Sequence, residues 1–436
     1  MKRTLVDDCF RPSQPRLRHG QALEILKQVI APLPATVGIA LNDALGRVLA
    51  QDIAATQPVP AHTNSAVDGY AFAHSGYKVA GRNLLLNVVG RSAAGHPFPF
   101  SLGALEAARI FTGAVMPEGA DTVAMQEDAE VIGKEVDCAG ESRSTVIIPV
   151  GLKPGANVRR AGEDVAAGAT LYTAGSLLRP PDLAALASIG CASVPCYDRL
   201  RVAIVSTGDE VLEAGSASLA PGQVYDANTP MLSALATLTG ASVSQLGIWR
   251  DKRSTVVANL VAAARQYDVI LTSGGASLGE EDHMSSALSE IGQRHLWQLA
   301  IKPGRPMMFG QIRSGDRDAI VIGLPGNPVA VFVCYLMYVY PLLRAASGAG
   351  WNEPRRFMLP AAFDFKGRKR GRREFWRGRI SQSASGMAIE KFARDGSGLI
   401  SGLRWSDGLI DIPEDCGDIA RGDPVAFIPY SEFGIV

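Results

Sequence analysis

Between Arg201 and Tyr340 short apolar runs alternate with helical patterns, and most of the apolar runs end in a turn of small residues. Runs of Val, Ile and Leu this short and continuous read as strands buried on both faces. Their alternation with helices implies a mostly parallel sheet covered on both sides. The expected strands are Val202 to Val205, Val243 to Ile248, Val269 to Leu271 and Ala319 to Gly323. The expected helices cover Thr229 to Gly240, with Thr or Asn at the cap and Pro at the first position, and Ser254 to Arg265; others start near Asp282 and at Pro328.

In such sheets ligands bind at the carboxyl ends of the strands. Three turns of one kind stand there: Ser206-Thr-Gly-Asp-Glu210, Ser273-Gly-Gly-Ala-Ser277 and Gly323-Leu-Pro-Gly-Asn-Pro328. A turn lacking Cβ atoms and opening a helix presents backbone N–H groups to an anion. Each turn alone is an ordinary glycine turn; together they would form one oxyanion-binding crevice. The middle turn offers Ser273, Gly274, Gly275 and Ser277, then runs into Glu280, Glu281 and Asp282.

A phosphate turn has no need of three carboxylates unless a cation accompanies the anion. Asp251 and Asp282, with Glu210 on the edge, could share Mg²⁺, which prefers hard oxygen ligands. The alternative is a set of acids favoured by helix dipoles, the reading preferred for Glu280 and Glu281. Lys302-Pro-Gly-Arg-Pro306 is a rigid basic corner suited to a tetrahedral or pyrophosphate anion, or else an ordinary basic turn.

Outside this segment the texture changes. A helical pattern runs from Leu17 to Ile30, and a helix-like piece covers Leu41 to Leu49. From about 61 to 160 short strands such as Leu84 to Val89, Ala108 to Phe111 and Thr145 to Ile148 form a β-rich block. Helix returns at Pro180 to Ala187, so the block reads as inserted into another domain. After Gly348 strands recur without helices, at Phe357 to Leu359, Phe375 to Ile380 and Val425 to Ile428, as in a small barrel or sandwich. The run Lys366-Gly-Arg-Lys-Arg-Gly-Arg-Arg373 lacks a stacking aromatic and is expected to be a solvated hairpin tip, with Arg377 and Arg379 beyond it facing an anion site.

Whole-chain properties narrow the function classes. Lys plus Arg equals Asp plus Glu at 43 each, which argues against nucleic acid and membrane as partners. The longest apolar run, Val329 to Tyr340, is 12 residues and is expected to be a buried helix, since spanning a bilayer takes about 20. The six cysteines form no CxxC and Met1-Lys2-Arg3 opens no apolar leader, so reduced thiols in the cytoplasm are expected.

Seven motifs stand in a fixed order: Asn64-Ser-Ala-Val-Asp-Gly-Tyr-Ala, Phe111-Thr-Gly-Ala, Gly162-Glu-Asp, Ser206-Thr-Gly-Asp-Glu, Thr272-Ser-Gly-Gly-Ala-Ser-Leu-Gly-Glu-Glu-Asp, Ile301-Lys-Pro-Gly-Arg-Pro and Leu324-Pro-Gly-Asn-Pro. In this the chain resembles, from about 17 to 434, the molybdopterin molybdenumtransferase family of the MoeA type, which includes the gephyrin E domain. The resemblance implies a multidomain α/β plus β protein: a discontinuous first domain (17–55 and 166–196), an inserted β-rich domain (56–165), a molybdopterin-binding α/β domain (197–348) and a C-terminal β-barrel (349–436).

The resemblance also implies a reaction, the insertion of molybdenum from molybdate into adenylylated molybdopterin with release of AMP and Mg²⁺ present. Asp251, Asp282 and Glu210 match the cation-side acids, and Lys302 the catalytic cation. Ser277, Arg305, Pro306, Pro325 and Pro328 match the substrate pocket and its loops. Arg377 and Ser397 match residues contributed by the last domain. Asp68, Thr112 and Asp164 match functional positions that in a homodimer would face the partner's crevice. A molybdopterin adenylyltransferase and molybdoenzyme chaperones are the implied partners. Gln298 departs from the pattern, standing where relatives often carry a basic residue. The alternatives are an adenylyltransferase, whose single domain would cover only 200 to 345, and a catalytically weakened scaffold of the same fold.

Overall fold

The computed structural model describes residues 16–76, 83–136, 142–216, 218–250, 252–275, 283–315, 317–383 and 386–436. At its centre is a six-stranded sheet. In chain order its elements are β1 (Arg201–Thr207), α1 (Asn228–Leu238), β2 (Ser242–Trp249), α2 (Arg253–Gln266), β3 (Val269–Ser273), α3 (His283–Ile291), β4 (Gln293–Gln298), β5 (Pro306–Ser314), β6 (Arg317–Leu324) and α4 (Pro328–Ala346). The strand order is β2-β1-β3-β6-β5-β4. The first four strands are parallel, and β5 runs antiparallel to both of its neighbours, β6 and β4. Every residue of β3 is buried, as expected for a strand covered on both faces.

The antiparallel edge is absent from the sequence reading. Gly310 in β5 looks like a turn residue, yet a Cβ there would meet Gln293 O at 2.4 Å and Leu288 Cδ2 at 2.5 Å. Close approach of the neighbouring strand and α3, not a turn, requires it.

The helix α4 extends the apolar run expected at Val329 to Tyr340. Its 19 residues are long and apolar enough to cross a membrane by composition, but 83% of its most apolar window is buried inside the fold. It packs in the largest core cluster with β1, β3, β6 and the N-terminal helix His19–Val29.

That N-terminal helix is anchored by His19, 2% exposed, whose Nδ1 lies 2.8 Å from the Tyr338 hydroxyl. Its ring meets Tyr338 and Phe375 edge-on at 5.4 and 5.5 Å. Burial, and then the Arg373 charge, push the imidazole down to about 3. The folded state holds His19 neutral while the unfolded chain protonates it near pH 6.5. The stability it contributes is therefore complete above about pH 6.5 and falls as pH drops toward 3. By pH 5 the loss is about 2 kcal/mol. In urea titrations at pH 8 and pH 5, His19→Phe is expected to lack this loss, and equal pH dependence in the two proteins would refute the assignment.

The segment Leu41 to Leu49 is a correction. Only Leu41–Asp43 is helical, as a single 3₁₀ turn. Gly46 turns the chain at φ +70°, and Gly46, Arg47 and Leu49 instead exchange backbone hydrogen bonds with Gly175, Ser176 and Leu178. Strand Thr36–Ala40 pairs with Ser193–Tyr197 across the whole inserted block. Within that block six strands order as Thr122–Met125, Gly69–Phe72, Glu106–Ile110, Leu84–Ser92, Ser142–Ile148 and Glu130–Val136.

The C-terminal strands are β7 (Phe357–Pro360), β8 (Arg373–Ser383), β9 (Gly386–Lys391), β10 (Gly408–Ile412) and β11 (Pro424–Pro429). They run β9-β8-β10-β11-β7, and the bond from Ala362 N to Ile389 O joins the two ends into a barrel. Strand β8 also continues into the α/β domain through parallel pairing with Ile301–Lys302.

The basic run is a solvated tip only in part, at Lys366, Lys369 and Arg370. Arg368 is 8% exposed and donates to the carbonyls of Cys416, Glu414, Arg372 and Ile412. Arg372 pairs with Glu374, and Arg373 clamps Asp411. These three cations are spent on carbonyls and buried carboxylates, while Lys366, Lys369 and Arg370 stay exposed, so only half of the run's charge reaches the surface.

Candidate functional site

Parallel register sets Ser206 beside Ser273 and Ser273 beside Leu324, so the three small-residue turns leave adjacent strand ends. Strand order reverses between β1 and β3, the place where open α/β sheets bind ligands. Gly274 (φ +88°) and Gly275 (φ +73°) both adopt left-handed backbone. A Cβ at Gly274 would stand 2.7 Å from Thr207 Oγ1, so close packing of the first two turns also demands glycine.

A cleft of about 450 Å³ opens over the second and third of these turns, between the α/β domain and the barrel. Of the residues singled out from sequence, Gly274, Gly275, Lys302, Arg305, Pro306, Pro325, Arg377 and Ser397 line it. The Lys302 corner reaches it through pairing with Arg373–Glu374, and through Gly304, where a Cβ would be 2.4 Å from Cys334 Sγ. Among the described residues neither Lys302 nor Arg305 forms an ion pair. Two cations thus face a cleft whose one described lining carboxylate, Asp395, is held by Lys391 at 2.7 Å.

Arg377 is 7% exposed and donates to the carbonyls of Arg394, Gly396 and Leu399 while its guanidinium lies 4.9 Å from the Phe392 ring centre. It braces the loop that carries Ser397, whose own carbonyl accepts from Val329 N at the start of α4. Arg379, expected to face the same anion site, does not line the cleft; its guanidinium sits over Trp405 at 5.9 Å.

Ser273 is buried behind the cleft, its hydroxyl accepting from Asn228 at 2.7 Å. Pro328 opens α4 and borders a neighbouring 700 Å³ cavity with Phe332 and Tyr430. Glu210 is exposed and does not line the cleft; its carboxylate folds over Gly208, within 2.5 Å of where a Cβ would stand. Asp251, Ser277, Glu280, Glu281 and Asp282 lie outside the described residues. Among the described residues no group of three or more His, Cys, Asp or Glu side chains could hold a metal ion.

Asp68, Thr112 and Asp164 lie on the inserted block and its margin, away from the cleft lining. Asp68 accepts from Thr112 N at 2.7 Å and from Thr112 Oγ1 at 2.8 Å. These bonds, the backbone one first, hold its carboxyl below the usual range. Arg109 stacks beside them on Tyr70 and Phe111 at 5.0 and 5.2 Å. Asp164 is exposed.

Sequence reasoning missed the cleft residues Phe375, Trp376, Lys391 and Phe392, of which only the first two lie on a strand legible in the sequence, β8. It also misplaced the start of α1. Asp226 caps that helix, accepting from the backbone of Asn228 and Thr229 at 3.0 Å and from the Thr229 hydroxyl at 2.6 Å. An Asp three residues before Thr-Pro was the available cue.

Three family models match consecutive stretches: "MoeA N-terminal region (domain I and II)" over 17–190, "Probable molybdopterin binding domain" over 203–345 and "MoeA C-terminal region (domain IV)" over 359–430. The chain is 36% identical over 403 residues to a molybdopterin molybdenumtransferase of Haemophilus influenzae, covering 92% of this chain and 95% of that protein. It is 30% identical over 420 residues to one of Synechococcus elongatus, with 94% and 98% covered. The crystal structure of a molybdopterin biosynthesis moeA protein from Pyrococcus horikoshii OT3 superposes with a TM-score of 0.78 at 27% identity, covering 95% of this chain and all of that one. With both the domain order and the full length in common, the chain belongs to the molybdopterin molybdenumtransferase (MoeA) family.

Proposed function

We propose that the protein is a transferase of molybdenum cofactor biosynthesis that inserts molybdenum from molybdate into adenylylated molybdopterin, releasing AMP. The observation that carries this reading is the convergence on one cleft of the Gly274–Gly275 turn, of Lys302 and Arg305, neither ion-paired among the described residues, and of Ser397. Cleaving a phosphoanhydride needs chiefly positioning and neutralisation of charge on the phosphate oxygens. Lys302 and Arg305 supply fixed positive charge, the Gly275 N–H faces the cleft while that of Gly274 is bound to Leu324 O, and Ser397 offers a hydroxyl to the oxygens of molybdate, a tetrahedral dianion.

Mg²⁺ fits the hard-oxygen character of Asp251, Asp282 and Glu210, the residues that would hold it. Register supports the grouping, because Thr207 pairs with Trp249 and Ser206 with Ser273, so the strands leading to Asp251 and Asp282 flank the Glu210 turn. When bound, the ion would neutralise phosphate oxygens. We also propose a homodimer, in which Asp68, Thr112 and Asp164 complete the partner's cleft. A molybdopterin adenylyltransferase would supply the substrate and molybdoenzyme chaperones would take the product, all in the cytoplasm. Gln298, opposite Pro306 in the β4–β5 ladder, leaves Arg305 as the nearby cation that would stand in for the lost charge.

Incubation with adenylylated molybdopterin, molybdate and Mg²⁺ tests the reading. Wild type is expected to release AMP, and Asp282→Asn to do so more than tenfold more slowly. No AMP from wild type, or equal rates, would overturn it. Sedimentation showing only monomer at micromolar concentration would remove the shared cleft.

A further inference from the structure

We infer that Asn228 is a positioning residue that latches two of the cleft's turns together and so sets the shape of the anion cradle. Its Nδ2 donates to Ser273 Oγ and to Gly326 O, each at 2.7 Å. Ser273 leads into Gly274 and Gly275, and Gly326 belongs to the Leu324 to Pro328 turn; both turns line the cleft. A side-chain amide presents two protons from one atom, which is what a bridge between two acceptors requires. The Gly326 carbonyl also fixes the amide's orientation, since the reverse arrangement would set oxygen against oxygen.

A second observation separates this role from plain packing. Asn228 is 8% exposed, and its Oδ1 accepts no hydrogen bond among the described residues. A buried acceptor without a partner destabilises a fold, so the amide is poorly explained by stability alone. The rest of its surroundings anchor it: its own N–H is bound by Asp226, whose other oxygen binds Thr229, which in turn meets Ser206 Oγ at 2.9 Å. The chain of contacts runs from the first turn through the start of α1 to the second and third turns. The backbone bond from Gly274 N to Leu324 O, at 3.1 Å, is a further tie between the second and third. Ser273 accordingly acts through Asn228, its hydroxyl facing the latch and not the cleft.

The latch deepens the proposed function, and rests on it for the activity readout alone. The test compares wild type, Asn228→Asp and Ser273→Ala by amide hydrogen exchange and by AMP release. Asp keeps the shape of Asn and turns its donor into an acceptor facing Gly326 O. In Asn228→Asp, exchange in residues 271–275 and 324–328 is expected to rise at least tenfold, with residues 253–266 unchanged and kcat/KM for AMP release down about thirtyfold. Ser273→Ala, which keeps the bond to Gly326, is expected to loosen 271–275 and spare 324–328. Unchanged exchange in both turns of Asn228→Asp, or an equal rise throughout the chain, would overturn the inference. Should wild type release no AMP, the insertase reading fails while the exchange data still decide the latch.

Discussion

Lys302→Met is expected to lower kcat/KM for AMP release by about a hundredfold to a thousandfold, the range found when one preorganised donor to a developing anion is removed. The expectation follows from the environment of the side chain. Lys302 sits in the cleft on a corner stiffened by Pro303 and Pro306, with no ion pair among the described residues to occupy its charge. Its ammonium is therefore held ready for a ligand at little reorganisation cost. For the same reason its removal is expected to shift unfolding free energy by less than about 0.5 kcal/mol. Lys302→Arg should recover only part of the rate, because a planar fork replaces a compact point charge. A loss of less than threefold in Lys302→Met, measured by AMP release at saturating molybdate, would show that the charge is not used.

The largest stability effect is expected at Asp411. This carboxylate is 1% exposed and accepts from Arg373 at 2.6 and 2.7 Å and from Arg356 at 2.7 Å. Burial pushes its carboxyl up, but the hydrogen bonds and charges of Arg373 and Arg356 outweigh it and hold the group below the usual range. Asp411→Ala leaves two half-buried arginines facing each other with Glu414, 3.9 Å from Arg373, as their remaining counter-charge among the described residues, at a cost of about 3–5 kcal/mol. The control is Asp411→Leu combined with Arg356→Met and Arg373→Met, which removes the charges together and is expected to lie close to wild type. Denaturant titration followed through the barrel's Trp376 reads both proteins. If Asp411→Ala costs less than about 1 kcal/mol, the cluster does not have the role its burial implies.

The α/β core was legible because its strands are uniform. Val202 to Val205 and Val269 to Leu271 admit few other readings, and the glycines at 274 and 304 mark places where a side chain would collide. The cleft's cationic corner was legible for a related reason, since two prolines and a glycine advertise a fixed shape. What escaped depends on contacts made far along the chain. The Leu41 to Leu49 piece has a helical pattern, yet the backbone of 175–178 satisfies its hydrogen-bonding groups and wins. The basic run at 366–373 reads as solvated until the carbonyls around Arg368 and the carboxylate of Asp411 come into view. Asn228 was legible only as a cap candidate and not as a bridge, because its two acceptors lie 45 and 98 positions away.

The anchoring of His19 also has a bearing on when this protein can be finished. Its partner Tyr338 lies 319 residues further on, and Phe375 beyond that. At about 5–20 residues per second, a ribosome needs roughly 16 to 64 s to deliver Tyr338 after His19. For that whole interval Leu23 and Leu26 of the first helix have no α4 to pack against. The helix His19–Val29 is thus among the last parts to dock, and its apolar face needs protection while the protein is being made.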